Sequence, residues 1–292
     1  MQGAIVRIDT QIQADNRQAD NDVQFISLWL RGRRPHTQRA YNTDVTKFMQ
    51  FTGNKSIHTV TIKDLQDFAD TLNVMADASI ARCLSSVKSL FAFGQKIGYL
   101  QYNVAAVIEL PSIKDTLAER ILTESEVQSM IALEVKPRNK TLLRFMYSSG
   151  ARVSEVCGLK WKDCINRDTA GQVTLYGKGG KTRIVLLSEG TWKALAELRG
   201  DAAPDAPVFK SQKGGHLTTR QVLDIVKAAA VRAGIEGDVS PHWLRHSHAS
   251  HALDRKCPIH LVQSTLGHSS VATTGKYLHA RPDDSSAKYL GV

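Results

Sequence analysis

Six side chains between residues 152 and 277 have the types needed to break a phosphodiester bond without a metal ion. They are two arginines, a lysine, two histidines and a tyrosine: Arg152, Lys178, His242, Arg245, His268 and Tyr277. The transition state of phosphodiester cleavage gathers negative charge on the nonbridging oxygens, and guanidinium groups neutralise that charge in a bidentate manner. We therefore predict that Arg152 and Arg245 bind the phosphate.

The other members of the set suit the proton transfers of the same reaction. Tyr277 is the predicted nucleophile, and a phenol, whose ordinary pKa is about 10, must lose its proton as it attacks. His242 is our first candidate for accepting this proton and His268 the second. The leaving 5′ oxygen needs a proton, which we assign to Lys178 in a glycine-rich turn. Lys181 is the alternative donor, and His242 follows it.

The histidines also allow a metal-binding interpretation. Seven of the ten lie in the last 51 residues, and His242 and His246 are four residues apart, as in metal sites of the H-x-x-x-H type. Arg245 lies in the same turn and would repel a dication, and no carboxylate follows until Asp254. We predict no metal ion and no cofactor. The remaining histidines that we examined are interpreted as surface or capping residues: His246, His248, His251 and His260.

The elements that must position these residues fall into two predicted domains. Residues 22–107 have helical patterns, for example apolar residues at helical spacing between residues 78 and 98. Residues 109–122 lose this periodicity and contain Pro111, as an interdomain linker would. Thr123 and Glu126 then form a capping-box pattern, which predicts a helix that begins at Glu124.

The second domain has a mixed pattern. We predict helices at 138–149 and 153–160, a β-hairpin formed by VTLYG and TRIVLL, and helices from Thr218 onward. The fold class is mostly helical with a small β-hairpin or sheet. The predicted domain bounds are 20–108 for a helical domain, 109–122 for the linker and 123–292 for a mixed α/β domain.

Composition and charge limit the class of protein. The 292 residues carry a net charge of +10, of which residues 1–110 contribute +2 (12 basic, 10 acidic) and the rest +8 (26 basic, 18 acidic). Such an excess favours a polyanionic partner.

The four cysteines form no C-x-x-C pair, and neither a signal peptide nor a run of about 20 apolar residues is present. We expect a cytoplasmic protein without membrane contact.

Four blocks of the sequence resemble the tyrosine recombinase (phage integrase) family, most closely its Xer-like branch. The blocks are GARVSEVCGLKW, GKGGKTR, SPHWLRHSHASH and LGHSSVATTGKYLH, which follow one another in the order typical of the family. The resemblance covers residues 119–281, and residues 22–107 are similar to the family's core-binding domain in pattern, with PHTQRAY as a typical segment.

The resemblance implies a site-specific recombinase that breaks and rejoins duplex DNA through a 3′-phosphotyrosyl bond at Tyr277. It implies the same six catalytic residues, with Lys178 preferred to Lys181, and Glu155 as a residue that orders the site. The implied partners are double-stranded DNA with paired, inverted-repeat binding sites and three further copies of the chain in a tetramer, and the need for an accessory protein is left open. Only 15 residues follow Tyr277, so a C-terminal segment that docks on a neighbouring protomer would be short. The residues predicted to contact DNA are Arg39, Arg82, Lys88, Lys181 and Arg183.

Three alternatives stay open at this point. The fold could serve a catalytically idle DNA-binding regulator, although the complete set of six residues argues against this function. A metal-dependent nuclease would use the histidines as ligands. Within the recombinase chemistry, phage integration, transposition and chromosome dimer resolution are alternative roles, and relaxation of supercoiled DNA is an expected side reaction.

Overall fold

The computed structural model describes residues 18–113, 115–168, 170–177 and 180–280, with the backbone alone for residues 279 and 280. The chain divides into two compact units between Lys114 and Asp115. We call them the N-terminal unit and the C-terminal unit and describe each by itself.

The N-terminal unit is helical throughout residues 22–107, as the periodicity predicts. Its helices are α1 (Asp22–Leu30), α2 (Pro35–Phe51), α3 (Ile62–Thr71) and α4 (Asp77–Lys96), with 3₁₀ turns at Ile57–Thr59 and Val104–Val107. Helix α2 begins with a proline at its first position, where no amide hydrogen bond is lost. Helix α3 begins with a capping box between Thr61 and Asp64.

The core of this unit is built around α4 and is rich in aromatic rings. Phe25, Phe48 and Phe91 are fully buried. Gly94 of α4 lets the neighbouring chain approach closely, because a Cβ atom there would lie 2.7 Å from Cδ1 of Leu100. The N-terminal unit therefore has a hydrophobic core of its own.

The C-terminal unit contains eight helices within the described residues. They are α5 (Glu124–Ala132), α6 (Pro137–Ser149), α7 (Val153–Gly158), α8 (Glu189–Arg199), α9 (Thr219–Arg232), α10 (Pro241–Asp254), α11 (Ile259–Leu266) and α12 (Val271–Ala280). Helix α5 begins at Glu124 with the predicted capping box. Helix α7 ends two residues before the predicted position.

A three-stranded antiparallel sheet lies beside these helices in the order β1 (Cys164–Arg167), β2 (Ala170–Tyr176) and β3 (Thr182–Leu187). Strands β2 and β3 form the predicted hairpin, with Tyr176 opposite Thr182. Strand β1 was not predicted. Only one of its four residues is buried, so it has no alternating apolar pattern to detect.

The last residues of the predicted linker belong to the C-terminal unit. Ile121 and Leu122 are buried in it, and the Leu122 amide donates a hydrogen bond of 2.9 Å to Oγ of Ser247 on α10. Two apolar residues are too few to show a period, and for this reason the sequence reads as a linker there. The described helices include none with the length and hydropathy required to span a membrane.

Candidate active site

The turn between α6 and α7 positions Arg152. Helix α6 ends at Gly150, whose φ of +57° is left-handed and is adopted by glycine without strain. A Cβ atom at this position would lie 2.6 Å from Cδ2 of Leu266. The next helix begins with Arg152 as its N-cap residue. Its side chain is 30% exposed, which leaves the guanidinium accessible to a ligand.

Arg245 lies on α10 and is almost completely buried, with 4% of its surface exposed. Its Nη1 donates to the carbonyl oxygen of Gly150, and its Nη2 donates to that of Leu266 at 2.7 Å. These carbonyls lie at the C-terminal ends of α6 and α11, where the helix dipole favours a cation. Two helix ends therefore hold this guanidinium in place in the absence of any ligand.

The carboxylate of Glu155 connects Arg152 to Arg183 of strand β3. Its two oxygens accept hydrogen bonds from Nη1 and Nη2 of Arg183, at 2.7 and 2.8 Å, in a bidentate arrangement. They also accept from the backbone amide of Arg152 at 2.7 Å and from its Nη1 at 3.0 Å. Burial raises the pKa of Glu155, but these hydrogen bonds outweigh burial and hold the pKa below its ordinary value. Glu155 is therefore ionised at neutral pH.

The site has a positive charge excess. Burial, and after it the charges of Arg152 and Arg183, lower the pKa of Arg245 to about 10. The three guanidiniums and the Glu155 carboxylate have a net charge of +2 (three minus one). Because like charges face one another here, an anion placed among them is stabilised, as a phosphodiester would be.

Tyr277 lies on α12 and packs against residues of α10 and α11. Only 5% of its surface is exposed, and its neighbours include Leu253 and Leu266. Burial raises the pKa of its phenol, and the nearby charge of Arg245 partly opposes this. The hydroxyl therefore keeps its proton in the free protein.

The rings of His246 and His268 lie next to Tyr277. Its Oη lies 2.8 Å from Nδ1 of His246, one turn beyond His242 on α10. The centroid of the His242 ring is 6.2 Å from that of the His246 ring. The ring of His268 is parallel to that of Tyr277, with centroids 6.4 Å apart, and its Nδ1 is 2.9 Å from Oγ1 of Thr274.

Comparison with known proteins identifies the family of this chain. The model of the phage integrase family matches residues 120–283, and that of the phage integrase N-terminal SAM-like domain matches residues 24–96. The tyrosine recombinase XerC of Xylella fastidiosa (strain M23) is 34% identical over 260 residues, which cover 85% of this chain and 87% of that protein. This chain belongs to the phage integrase family. XerC of Xanthomonas axonopodis pv. citri (strain 306) is 38% identical over 206 residues, 69% of this chain and 67% of that protein.

Solved structures of this family share the fold. The XerH site-specific recombinase bound to its palindromic difH substrate has a TM-score of 0.71 at 22% identity, covering 93% of this chain and 85% of that chain. A lambda integrase dimer bound to a COC′ core site has a TM-score of 0.74 at 17% identity, covering 90% and 95%. The expected fold class and the resemblance to the Xer-like branch are both confirmed.

The structure brings most of the predicted site residues of this integrase-family chain together. Arg152 and Arg245 both donate to carbonyls at the C-terminal end of α11, and the charge of Arg245 acts on the pKa values of Tyr277, His242 and His268. Lys178 lies outside the described residues, between Gly177 and Gly180. Lys181 is exposed at the end of the hairpin turn.

The residues predicted to contact DNA have different surroundings. The prediction for Arg183 needs correction: its side chain is 10% exposed, pairs with Glu155 and donates from Nε to the Thr265 carbonyl, which leaves little of it for a phosphate. Arg82 pairs with the buried carboxylate of Asp44, although 47% of its side chain is exposed. Lys88 donates to the carbonyls of residues 106 and 108. Arg39 is exposed.

His246 is the site residue that the sequence interpretation missed. It was assigned to the surface or to a cap, but it is half-buried and contacts the hydroxyl of Tyr277. The sequence contains one relevant signal, which is the four-residue spacing that places His242 and His246 on the same face of α10. Which of them reaches Tyr277 depends on how α12 packs against α10, and a single sequence does not encode that in a local pattern.

The histidines near Tyr277 can be compared with the ligands of a metal site. In the parts of the chain that the structure describes, no three histidine, cysteine, aspartate or glutamate side chains are grouped so that they could hold a metal ion. His246, His248 and His268 have pKa values lowered to about 4, first by burial and then mainly by neighbouring positive charge, in which Arg245 takes part for each of them. These imidazoles are therefore neutral at pH 7.

Proposed function

We propose that this protein is a site-specific DNA recombinase that cleaves and rejoins duplex DNA through a covalent bond between Tyr277 and a 3′ phosphate. The observation that carries the proposal is the meeting of two preorganised guanidiniums, Arg152 and Arg245, beside a buried tyrosine hydroxyl in a site with net positive charge. Membership of the phage integrase family supports it.

The two arginines have distinct parts in the proposed reaction. Arg245 is held by two backbone carbonyls and is oriented before DNA arrives. Arg152 is more exposed and shares Glu155 with Arg183. Both guanidiniums neutralise the nonbridging oxygens as the pentacoordinate phosphorus forms, and a group that is already oriented needs no reorganisation at that moment. Glu155 and Arg183 position Arg152 without contacting the phosphate.

The proposed reaction exchanges one phosphodiester bond for another. The oxygen of Tyr277 bonds to phosphorus, the bond from phosphorus to the 5′ oxygen breaks, and a general acid gives that oxygen a proton. We assign the acid to Lys178, on its place in the glycine-rich turn. The resulting phosphotyrosine is a diester like the original linkage, so a 5′ hydroxyl from another strand reverses the reaction without ATP.

The proposed substrate is duplex DNA with two inverted binding sites, on which four copies of the chain assemble. The XerH and lambda integrase structures hold DNA with a palindromic or core site. The charge of +8 on residues 111–292 suits such a polyanion. All four cysteines are free, which fits our assignment of the reaction to the cytoplasm. Integration, excision and transposition all use this chemistry, and inverted repeats that flank the gene would favour mobility over chromosome dimer resolution.

A covalent-trapping experiment tests the proposal. A binding site is first selected from random-sequence duplexes, and nicked versions of it are made with the nick moved one nucleotide at a time. When cleavage releases a short fragment from the nick, religation is blocked and the protein stays attached to DNA. We expect an adduct that protease removes, and we expect Tyr277→Phe to bind the duplex without forming it.

The same assay separates the alternatives. Excess chelator should leave adduct formation unchanged, whereas a metal-dependent nuclease would lose cleavage and regain it with a divalent ion. An idle DNA-binding regulator would bind every duplex without forming an adduct. Either of these results would contradict the proposal.

A further inference from the structure

His246 occupies the position from which the proton of the nucleophile can be taken. Its Nδ1 is 2.8 Å from the hydroxyl oxygen of Tyr277, a normal length for a strong hydrogen bond. Both groups are on helices that pack together, α10 and α12, and Tyr277 is buried between them. The contact is therefore part of the packed interior and is not a chance meeting of surface side chains.

The other two histidines are less well placed. His242 is exposed and its ring lies 6.2 Å from that of His246, whereas the ring nitrogen within hydrogen-bond distance of the Tyr277 hydroxyl belongs to His246. His268 lies parallel to the ring of Tyr277, and its Nδ1 is engaged by Oγ1 of Thr274, which is fully buried. Among the described residues, the hydrogen-bond partner of the Tyr277 hydroxyl is His246, whose Nδ1 can accept the phenol proton.

We propose that His246 is a catalytic residue that accepts the proton of Tyr277 during attack on DNA, which deepens the proposed function and rests on it. The phenol O–H bond breaks as Oη bonds to phosphorus, the proton passes to Nδ1 of His246, and the departing 5′ oxygen takes a proton from the general acid. The neutral imidazole carries its own proton on Nε2 before the transfer. During rejoining, the imidazolium returns its proton to the departing phenolate.

The electrostatics of the site link this transfer to DNA binding. Burial first, and then repulsion from neighbouring cationic groups such as Arg245, hold the pKa of His246 at about 4, so its imidazole is a weak base in the free protein. A phosphodiester bound at Arg245 supplies negative charge that offsets part of this field and favours the imidazolium. A phosphodiester in the site therefore favours proton transfer from Tyr277 to His246.

Two substitutions separate proton transfer from positioning. The Oδ1 atom of an asparagine lies near the place of Nδ1, so His246→Asn keeps a hydrogen-bond acceptor but removes the base. His246→Ala removes both. We expect His246→Asn to slow single-turnover adduct formation by about 10²- to 10⁴-fold, the usual contribution of general base catalysis, with DNA affinity unchanged. His260→Asn is the matched control, because His260 is exposed on α11 and lies outside the site, and it should react at the wild-type rate.

A tyrosine analogue with a more acidic phenol distinguishes the loss of a proton acceptor from a structural defect. With 3,5-difluorotyrosine at position 277, the phenol loses its proton more readily, so the His246→Asn protein should recover most of its lost rate. A structural defect would not be recovered in this way, and His242→Asn should also show no recovery.

Some results would overturn the role assigned to His246, and another would overturn the proposed function itself. A rate for His246→Asn within about twofold of the wild type would overturn the assignment, as would a loss that the fluorinated tyrosine leaves unchanged or a recovery seen with His242→Asn. If the wild-type protein forms no adduct at Tyr277, the proposed function itself fails, and the assignment fails with it.

Discussion

Replacing Glu155 by glutamine should destabilise the C-terminal unit and misplace Arg152. The Glu155 side chain is 1% exposed and accepts four hydrogen bonds, two from Arg183 and two from Arg152. Glutamine keeps one acceptor oxygen but turns an NH₂ group toward a guanidinium, so about half of these charge-assisted bonds are lost. Removing one partner of a buried ion pair costs about 3–5 kcal/mol. We take the lower end, about 3 kcal/mol, because Arg152 is partly solvated.

Urea denaturation at pH 7 measures this cost. At a slope of about 2 kcal/mol per molar urea, a loss of 3 kcal/mol lowers the midpoint by roughly 1.5 M. Glu124→Gln is the matched control, since Glu124 and Arg255 form a surface pair whose side chains are 44% and 71% exposed, and such pairs contribute about 0–1 kcal/mol. Equal costs for the two substitutions would refute the reasoning that a buried carboxylate holds Arg152 and Arg183.

The lowered pKa of Glu155 determines how the stability difference between the wild type and Glu155→Gln changes with pH. The pKa of Glu155 in the folded protein is below its ordinary value, so its stabilising contribution is complete above the ordinary glutamate pKa of about 4.3. The contribution is lost as the pH falls through the folded-state value. The gap between the wild type and Glu155→Gln should therefore narrow in acid, and a gap that widened would contradict the lowered pKa.

Three further predictions follow from the site. The pKa values of His246, His248 and His268 are about 4 in the folded chain, against 6.5 for a free imidazole. Protonation therefore favours the unfolded chain, and the free energy of unfolding should fall as the pH is lowered from 6.5 to 4. Urea midpoints at pH 7 and pH 5 measure this fall, and equal midpoints would refute it. Lys178→Ala should be slow on normal DNA and recover on a 5′-bridging phosphorothiolate, because a thiolate leaves without a proton. Arg152→Ala and Arg245→Ala should show no recovery, and recovery of Lys181→Ala in place of Lys178→Ala would reverse the assignment of the acid. DNA affinity should fall with salt, with log K changing by about 0.9 per phosphate contact for each decade, and a flat response would mean that the basic excess is ordinary surface charge.

Local patterns made most of the fold predictable. The caps at Thr61 and Thr123, the apolar period of α4 and the β-favouring strands on either side of the hairpin turn are short-range features, and the structure reproduces each. Strand β1 was missed because it has four residues and a single buried side chain. The assignment of Ile121 and Leu122 to the C-terminal unit depends on Ser247, 125 residues away from Leu122, which no local pattern reports.

The sequence could predict candidate site residues but not how their side chains contact each other. The spacing and types of Arg152, Arg245 and Tyr277 predicted a common site, and the structure places them together. Arg183 is among the residues predicted to contact DNA, whereas in the structure it pairs with the buried carboxylate of Glu155. His246 was set aside because its contact with Tyr277 is a product of helix packing.

The most direct test of this account is to identify the residue that carries DNA. The trapped adduct is digested with protease and nuclease, and the peptide that retains a nucleotide is sequenced by mass spectrometry. The account predicts a nucleotide attached through its 3′ phosphate to the hydroxyl of Tyr277. A nucleotide on any other residue, or one attached through its 5′ phosphate, would contradict the account.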